Sequence, residues 1–415
     1  MKELKQLIRH LSIAAGACAA LAAPAEAQPS GETIVFEGAT VIVGDGSPPL
    51  EDAVLVVEGT RFAAVGRAGE VDIPAGAARV DLGGKTVMPA IVDTHTHLGV
   101  ERDALVQDLR RRARFGVGAA MSLGMDSGDV PFAVRGEEIP GAALYRTAGR
   151  GITTPEPGRS EVPHWVTTEE EARAAVREEA ALGADIIKIW VDDRNGQYQK
   201  LSPELYTAII DEAHRNDLRV TAHIFYLEDA KALLRAGIDA FAHGIRDTDV
   251  DDEAVALFRE RPEVVLVPNL PDRGVAADMS WLRGQIPGDE LRRVQDAATE
   301  RPEAQQAFAI QARNLDRLAS EGVRIALGTD GNTPWAAHVE MADMVAAGMS
   351  PADVIVAATR NSAEFLGLDD RGTIEQGNSA DFIVLDGNPL EDITNTRRIA
   401  DVYLRGAVVD RDGSS

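Results

Sequence analysis

The chain has one cysteine, Cys18, in 415 residues. A lone thiol closes no internal disulfide, so a disulfide-stapled scaffold is excluded. Positive charge is also scarce: 42 Lys and Arg stand against 67 Asp and Glu, a formal net charge of −25. That balance argues against nucleic acid and anionic membrane surfaces as partners. The apolar run over residues 11–23 falls short of the roughly 20 residues that a membrane span needs. Short internal repeats, low-complexity segments and long linkers are missing too. Histidine is rare, 8 in all, so where histidines stand is informative.

The first residues read as a targeting segment. Lys2, Lys5 and Arg9 precede the alanine-rich apolar run, and Ala25-Glu26-Ala27 is an A-x-A cleavage pattern. A signal peptide over 1–27 is expected, with export to the periplasm or beyond. Ala15-Gly16-Ala17-Cys18 weakly resembles a lipoprotein box, which leaves a lipid anchor as the one membrane attachment to consider. The whole chain is 45% apolar and 26% charged, as in ordinary globular proteins, and the remainder is long enough for a large domain with a small companion.

Both ends of that remainder look strand-rich. Thr33-Ile34-Val35-Phe36, Thr40-Val41-Ile42-Val43 and Ala53-Val54-Leu55-Val56-Val57 are divided by turn residues, as are Phe382-Ile383-Val384-Leu385 and Val402-Tyr403-Leu404. Residues 28–88 and 366–415 are expected to form one β-sandwich. Residues 89–365 alternate. Strands are expected at 91–94, 119–123, 143–147, 186–190, 219–223, 240–243, 264–268 and 324–328. Between them lie helical stretches opened by Thr168–Glu171, a capping-box pattern, and by Ser202-Pro203. Further helices are expected over 228–234 and 303–320. Eight such units over about 250 residues fit a (β/α)8 TIM barrel, an α/β fold. Residues 272–305 read as an elaborated loop after the seventh strand.

His95 and His97 sit one residue apart at the end of the first barrel strand. Residues i and i+2 of a strand share a face, so both imidazoles point one way and can hold one metal ion. Barrel enzymes place chemistry at the C-terminal strand ends. There stand Lys188 in Ile186-Ile187-Lys188-Ile189-Trp190, His223, His243 and Asp330. Taken singly, each has a plainer reading. Asp330 could cap the next helix, Lys188 could snorkel outward, and His223 could be a satisfied strand-end histidine. Taken together they form a metal constellation spanning five strands.

With those residues in place, the chain resembles the amidohydrolase superfamily, in the branch of imidazolonepropionase-like hydrolases that includes prolidases. The matching motifs are Met88-Pro89-Ala90-Ile91-Val92-Asp93-Thr94-His95-Thr96-His97, Lys188-Ile189, Ala222-His223, Ala242-His243-Gly244, Gly328-Thr329-Asp330 and Gly377-Asn378-Ser379-Ala380-Asp381-Phe382-Ile383-Val384-Leu385. The resemblance implies two divalent ions, with zinc the first expectation. His95, His97 and Asp330 would hold one and His223 and His243 the other, bridged by Lys188 carboxylated by CO2. It implies a bridging hydroxide as nucleophile, Asp330 as proton carrier, and Tyr226 as a donor to the oxyanion, unless Tyr226 only packs at the rim. Deaminases of the superfamily carry a glutamate where Tyr226 stands, and Glu228 is off-register.

The substrate is expected to be a small amide: an N-acyl amino acid or a dipeptide, with proline or a bulky apolar residue at its C-terminus. The alternative is a lactonase, carbamate or phosphotriester hydrolase using the same binuclear site. His338 and Trp190 are candidate substrate contacts, and Trp335 and His164 candidate mouth residues. Arg150, Arg246 and Arg273 are candidates for a substrate carboxylate. The sequence leaves homo-oligomerisation open.

Overall fold

The computed structural model describes residues 33–411. The expected signal peptide and Cys18 lie outside the described residues. No helix among the described residues is long and apolar enough to cross a membrane.

The fold is α/β. Seven parallel strands form one sheet in the order His164–Trp165, Ile152–Thr153, Ile187–Val191, Val220–Ile224, Ala240–Phe241, Val265–Leu266, Arg324–Ile325. A second parallel sheet holds Ile91–Thr96, Val117–Ser122 and Leu144–Thr147. Backbone bonds join the two at both sides. Thr94 N–H donates to the Leu327 carbonyl at 2.9 Å, and Asp185 N–H to the Thr147 carbonyl at 2.9 Å. Strands buried on both faces are near-continuous apolar runs, as parallel sheets demand, and that made them readable in the sequence. Each of the eight expected strands has an observed one within two or three residues. Ile152–Thr153 and His164–Trp165 were not foreseen; two-residue strands carry no periodicity.

The helices follow their local signals. Thr168 caps Glu169–Leu182 through a complete capping box with Glu171, and Gly183 ends it in a left-handed conformation. Ser202 caps Pro203–Arg215, whose Leu205, Ile209 and Ala213 are buried at helical spacing. Residues 272–305 do not form a plain loop. They contain a 3-10 turn, Ser280–Leu282, and a helix, Gly288–Ala297, packed by Leu282 against Phe115 and Trp335. Gly288–Ala297 buries no residue fully, so its apolar signal is faint.

Both chain ends build one eight-stranded sheet. Phe382–Leu385 pairs antiparallel with Thr86–Pro89, which pairs parallel with Thr33–Val41. The first two expected strands are a single one, Thr33–Val41, interrupted near Gly38, whose φ of 85° a residue with a side chain rarely adopts. Phe36, Phe382 and Tyr403 pack together here, with ring centroids 4.7–5.1 Å apart.

Candidate metal centre

His95 is the last residue but one of Ile91–Thr96, and His97 follows that strand directly. As i and i+2 they reach the same acceptor: His95 Nε2 lies 3.2 Å and His97 Nε2 3.0 Å from Asp330 Oδ1. His243 Nε2 lies 3.7 Å from Asp330 Oδ2. The His95, His97 and Asp330 donor atoms all fall within 4.8 Å of one another, a spacing that suits one ion. The His243 ring is 5.1 Å from that of His95 and 4.4 Å from that of His223, so the histidines form a continuous row.

Asp330 does not cap the next helix. That helix begins at Ala336, with Trp335 in the cap position. Asp330 instead adopts a left-handed φ of 50° that turns its carboxylate onto the histidines, with its N–H on the His95 carbonyl at 2.8 Å. The surrounding walls would raise its pKa, but the charges and hydrogen bonds of the histidines hold it well below the usual carboxylate range. Burial does the reverse to the imidazoles, pushing His95 to about 4 and His223 to about 3. Neutral rings beside an ionised carboxylate are the form in which these groups ligate metal.

The ring nitrogens sit in different surroundings. His95 Nδ1 lies 3.1 Å from the Ala242 carbonyl, and a proton on Nδ1 would leave Nε2 for a ligand. The Asn269 amide lies 2.6 Å from the same nitrogen. His97 Nδ1 and His243 Nδ1 are buried without hydrogen-bond partners.

Lys188 is the strongest test of whether the residues fit a metal pair. Its side chain is 1% exposed, so it does not snorkel, and Nζ has no hydrogen-bond partner among the described residues. Burial lowers its pKa to about 7, and Arg246 and Arg194 push the same way. Its charge in turn acts on His95 and His223. Gly124 and Gly151 make room around it: a Cβ on Gly124 would meet Lys188 Cγ at 2.8 Å, and one on Gly151 would meet the Trp190 ring at 2.2 Å. An orphaned amine among neutral imidazoles and an ionised carboxylate fits a bridging ligand once carboxylated.

The other expected residues divide. His223 carries two partners at Nε2, Asp192 Oδ2 and Arg194 Nη1, each at 3.0 Å. Tyr226 donates its hydroxyl to Asp193 at 3.0 Å, and the Lys200 ammonium lies over its ring, so it stands on the rim. Glu228 pairs with Lys231, away from the histidines. Trp190 is 9% exposed and lies 5.6 Å from Lys188 Nζ, behind the centre. His338 requires correction. It is 1% exposed, with Nε2 on the Phe115 carbonyl at 2.9 Å and Nδ1 3.1 Å from the Thr396 hydroxyl. Both nitrogens are spent on packing the chain, and no substrate reaches them. Trp335 is likewise interior, and His164 is held by Glu179 at 2.7 Å. Arg150 is occupied by the Val162 carbonyl and Glu178, and Arg273 by Asp343.

Sequence reading missed the groups that brace the centre. Asp93 accepts from the Thr329 hydroxyl at 2.8 Å and from Thr329 and His95 N–H, tying the first strand to the segment carrying Asp330. Arg194 links Asp192 to Glu156 from a left-handed turn, φ 54°. Asp192-Asp193-Arg194-Asn195-Gly196 reads as an ordinary turn, and only its place after the Lys188 strand could have singled it out.

Known proteins show which family the chain falls in. Residues 86–409 match the amidohydrolase family. The chain is 28% identical to the ochratoxinase of Aspergillus niger, over 87% of this chain and 82% of that protein. The solved structure of a candidate prolidase from Bifidobacterium longum is 30% identical with a TM-score of 0.77, covering 93% of this chain and 97% of the other. A Xaa-Pro dipeptidase solved with methionine in its active site shares the fold, with a TM-score of 0.73, 24% identity and coverage of 91% and 99%. The chain belongs to the amidohydrolase family.

Proposed function

We propose that this C–N hydrolase cleaves the amide bond of an N-acyl amino acid or dipeptide whose C-terminal residue is proline or a bulky apolar one. The observation that carries the reading is the partnerless, buried Lys188 amine beside His95, His97, His223, His243 and Asp330. His95, His97 and Asp330 would hold one divalent ion, His223 and His243 a second, and a carbamate on Lys188 would bridge them, with zinc as the metal. Bound ions would lower the pKa of water to about 7 and polarise the scissile carbonyl. Asp330 takes a proton at its carboxylate and delivers it to the leaving nitrogen. Tyr226 serves a developing oxyanion only after leaving Asp193. On this reading the eight expected strands close as a (β/α)8 barrel over 89–365, supported by the backbone bonds that join the two parallel sheets, and 28–88 with 366–415 form the β-sandwich. The mature protein begins after Ala27 and works in the periplasm or outside the cell.

A screen of metal-loaded protein against N-acyl amino acids, dipeptides, lactones, carbamates and phosphotriesters tests this reading. Turnover of amides with release of the free amine is expected. Turnover confined to lactones or phosphotriesters sinks it. N-terminal sequencing of protein from the cell envelope and medium tests the cleavage.

A further inference from the structure

Arg246 lies three residues beyond His243, and its N–H donates to the carbonyl of Phe225, two beyond His223, at 2.9 Å. Asp247 Oδ1 accepts from Leu227 N–H at 2.9 Å and clamps the same turn from its other side. The arginine is thus fixed between two strand ends that each carry a candidate ligand. Its guanidinium nevertheless has no hydrogen bond or ion pair with any described residue, and its Nε is shut off from solvent. Arg194, Arg150 and Arg273 all have acceptors.

An unpaired, largely buried cation is costly, and it is out of place in a chain with 67 acids and 42 bases. The nearby acids Asp330 and Asp192 act on Arg246 through charge but hydrogen-bond elsewhere: Asp192 to Arg194 and His223, Asp330 to His95 and His97. The charge of Arg246 is felt at Lys188, His223 and His243, so the guanidinium overlooks the centre. A metal ion repels it. What completes it is an anion from outside, and a planar fork of donors matches a carboxylate.

We infer that the Arg246 guanidinium anchors a carboxylate of the substrate, which makes free-acid amides, and not neutral ones, the substrate class. This rests on the amide-hydrolase reading above. The test compares metal-loaded wild type, Arg246→Met and Arg246→Lys on N-acetyl-L-phenylalanine and on its primary amide, with calorimetric titration by L-phenylalanine. Wild type is expected to prefer the acid. In Arg246→Met that preference falls about 10²-fold, chiefly through KM, and L-phenylalanine binding weakens by a similar factor. Arg246→Lys recovers part of both, because a point charge replaces the fork. The Tm of Arg246→Met is no lower than that of wild type, since the change removes an unpaired buried charge; a merely structural arginine would lower it.

Amide turnover by wild type with no preference for the acid overturns the anchor and leaves the proposed function standing. So does an Arg246→Met protein that keeps the preference. If neither amide is cleaved, the broader amide and dipeptide screen decides the proposed function, and titration decides the anchor: L-phenylalanine binding lost in Arg246→Met upholds it, and binding retained, or absent from wild type, overturns it.

Discussion

A primary amine that is 1% exposed and has no acceptor in reach is stable there only if its charge is removed. A pKa of about 7 leaves much of Lys188 as free amine at neutral pH, and the free amine is the form that adds CO2. Lys188→Ala is therefore expected to lose most activity and part of the bound metal, with partial rescue by short carboxylic acids. Carbon-labelled bicarbonate should label wild type and not the variant. An active, fully metallated wild type that takes up no label counts against the carbamate. Asp343 shows the opposite response to burial. Burial pushes it up to about 7, with Arg273 only partly offsetting. The folded state then holds its proton more tightly than the unfolded chain, so its contribution is largest below about pH 4 and is lost as pH rises to about 7. Asp343→Asn should stabilise the protein at pH 8 by roughly 1–3 kcal/mol and have little effect at pH 4.5. Denaturant unfolding at both pH values measures this, and an equal effect at both would discard the burial argument.

At the scale of elements, the centre depends on strand ends meeting closely, and Gly328 marks one such meeting. A Cβ there would lie 2.5 Å from Val267 Cγ1, 2.7 Å from Asn269 Oδ1 and 2.8 Å from His95 Cβ. Gly328→Ala should destabilise by about 1–3 kcal/mol and reduce bound metal, because relief requires moving Val267, Asn269 and His95 together. Unchanged metal content would show that the strand ends have slack. Such meetings explain what the sequence disclosed. The candidates His95, His223, His243 and Asp330 were visible because an apolar run ended near each, and Lys188 because it interrupts one. Asn269, Arg194 and Arg246 were harder. They stand on turns whose positions depend on contacts between distant strands, and no local pattern specifies those. His338 misled for the same reason, since its partners Phe115 and Thr396 lie far off in sequence.

Over the whole molecule, the candidate ligands run from His95 to Asp330, so bound metal would close loops across most of the alternating strand and helix sequence. Ions that bind only the folded state add stability of RT ln(1 + [L]/Kd), about 2.7 kcal/mol at one hundred times Kd. Removing them with a chelator should lower Tm by about 5 °C or more, and zinc should restore it. A chain of net charge −25 is also stabilised non-specifically by any cation that screens self-repulsion. The two effects separate by concentration and by mutation. Screening needs tens of millimolar salt, is matched by potassium chloride at equal ionic strength, and survives Lys188→Ala. Specific binding saturates near two ions per chain at micromolar zinc and drops in that variant. Wild type with the same Tm before and after verified metal removal would mean the ions serve chemistry alone, and the fold closes without them.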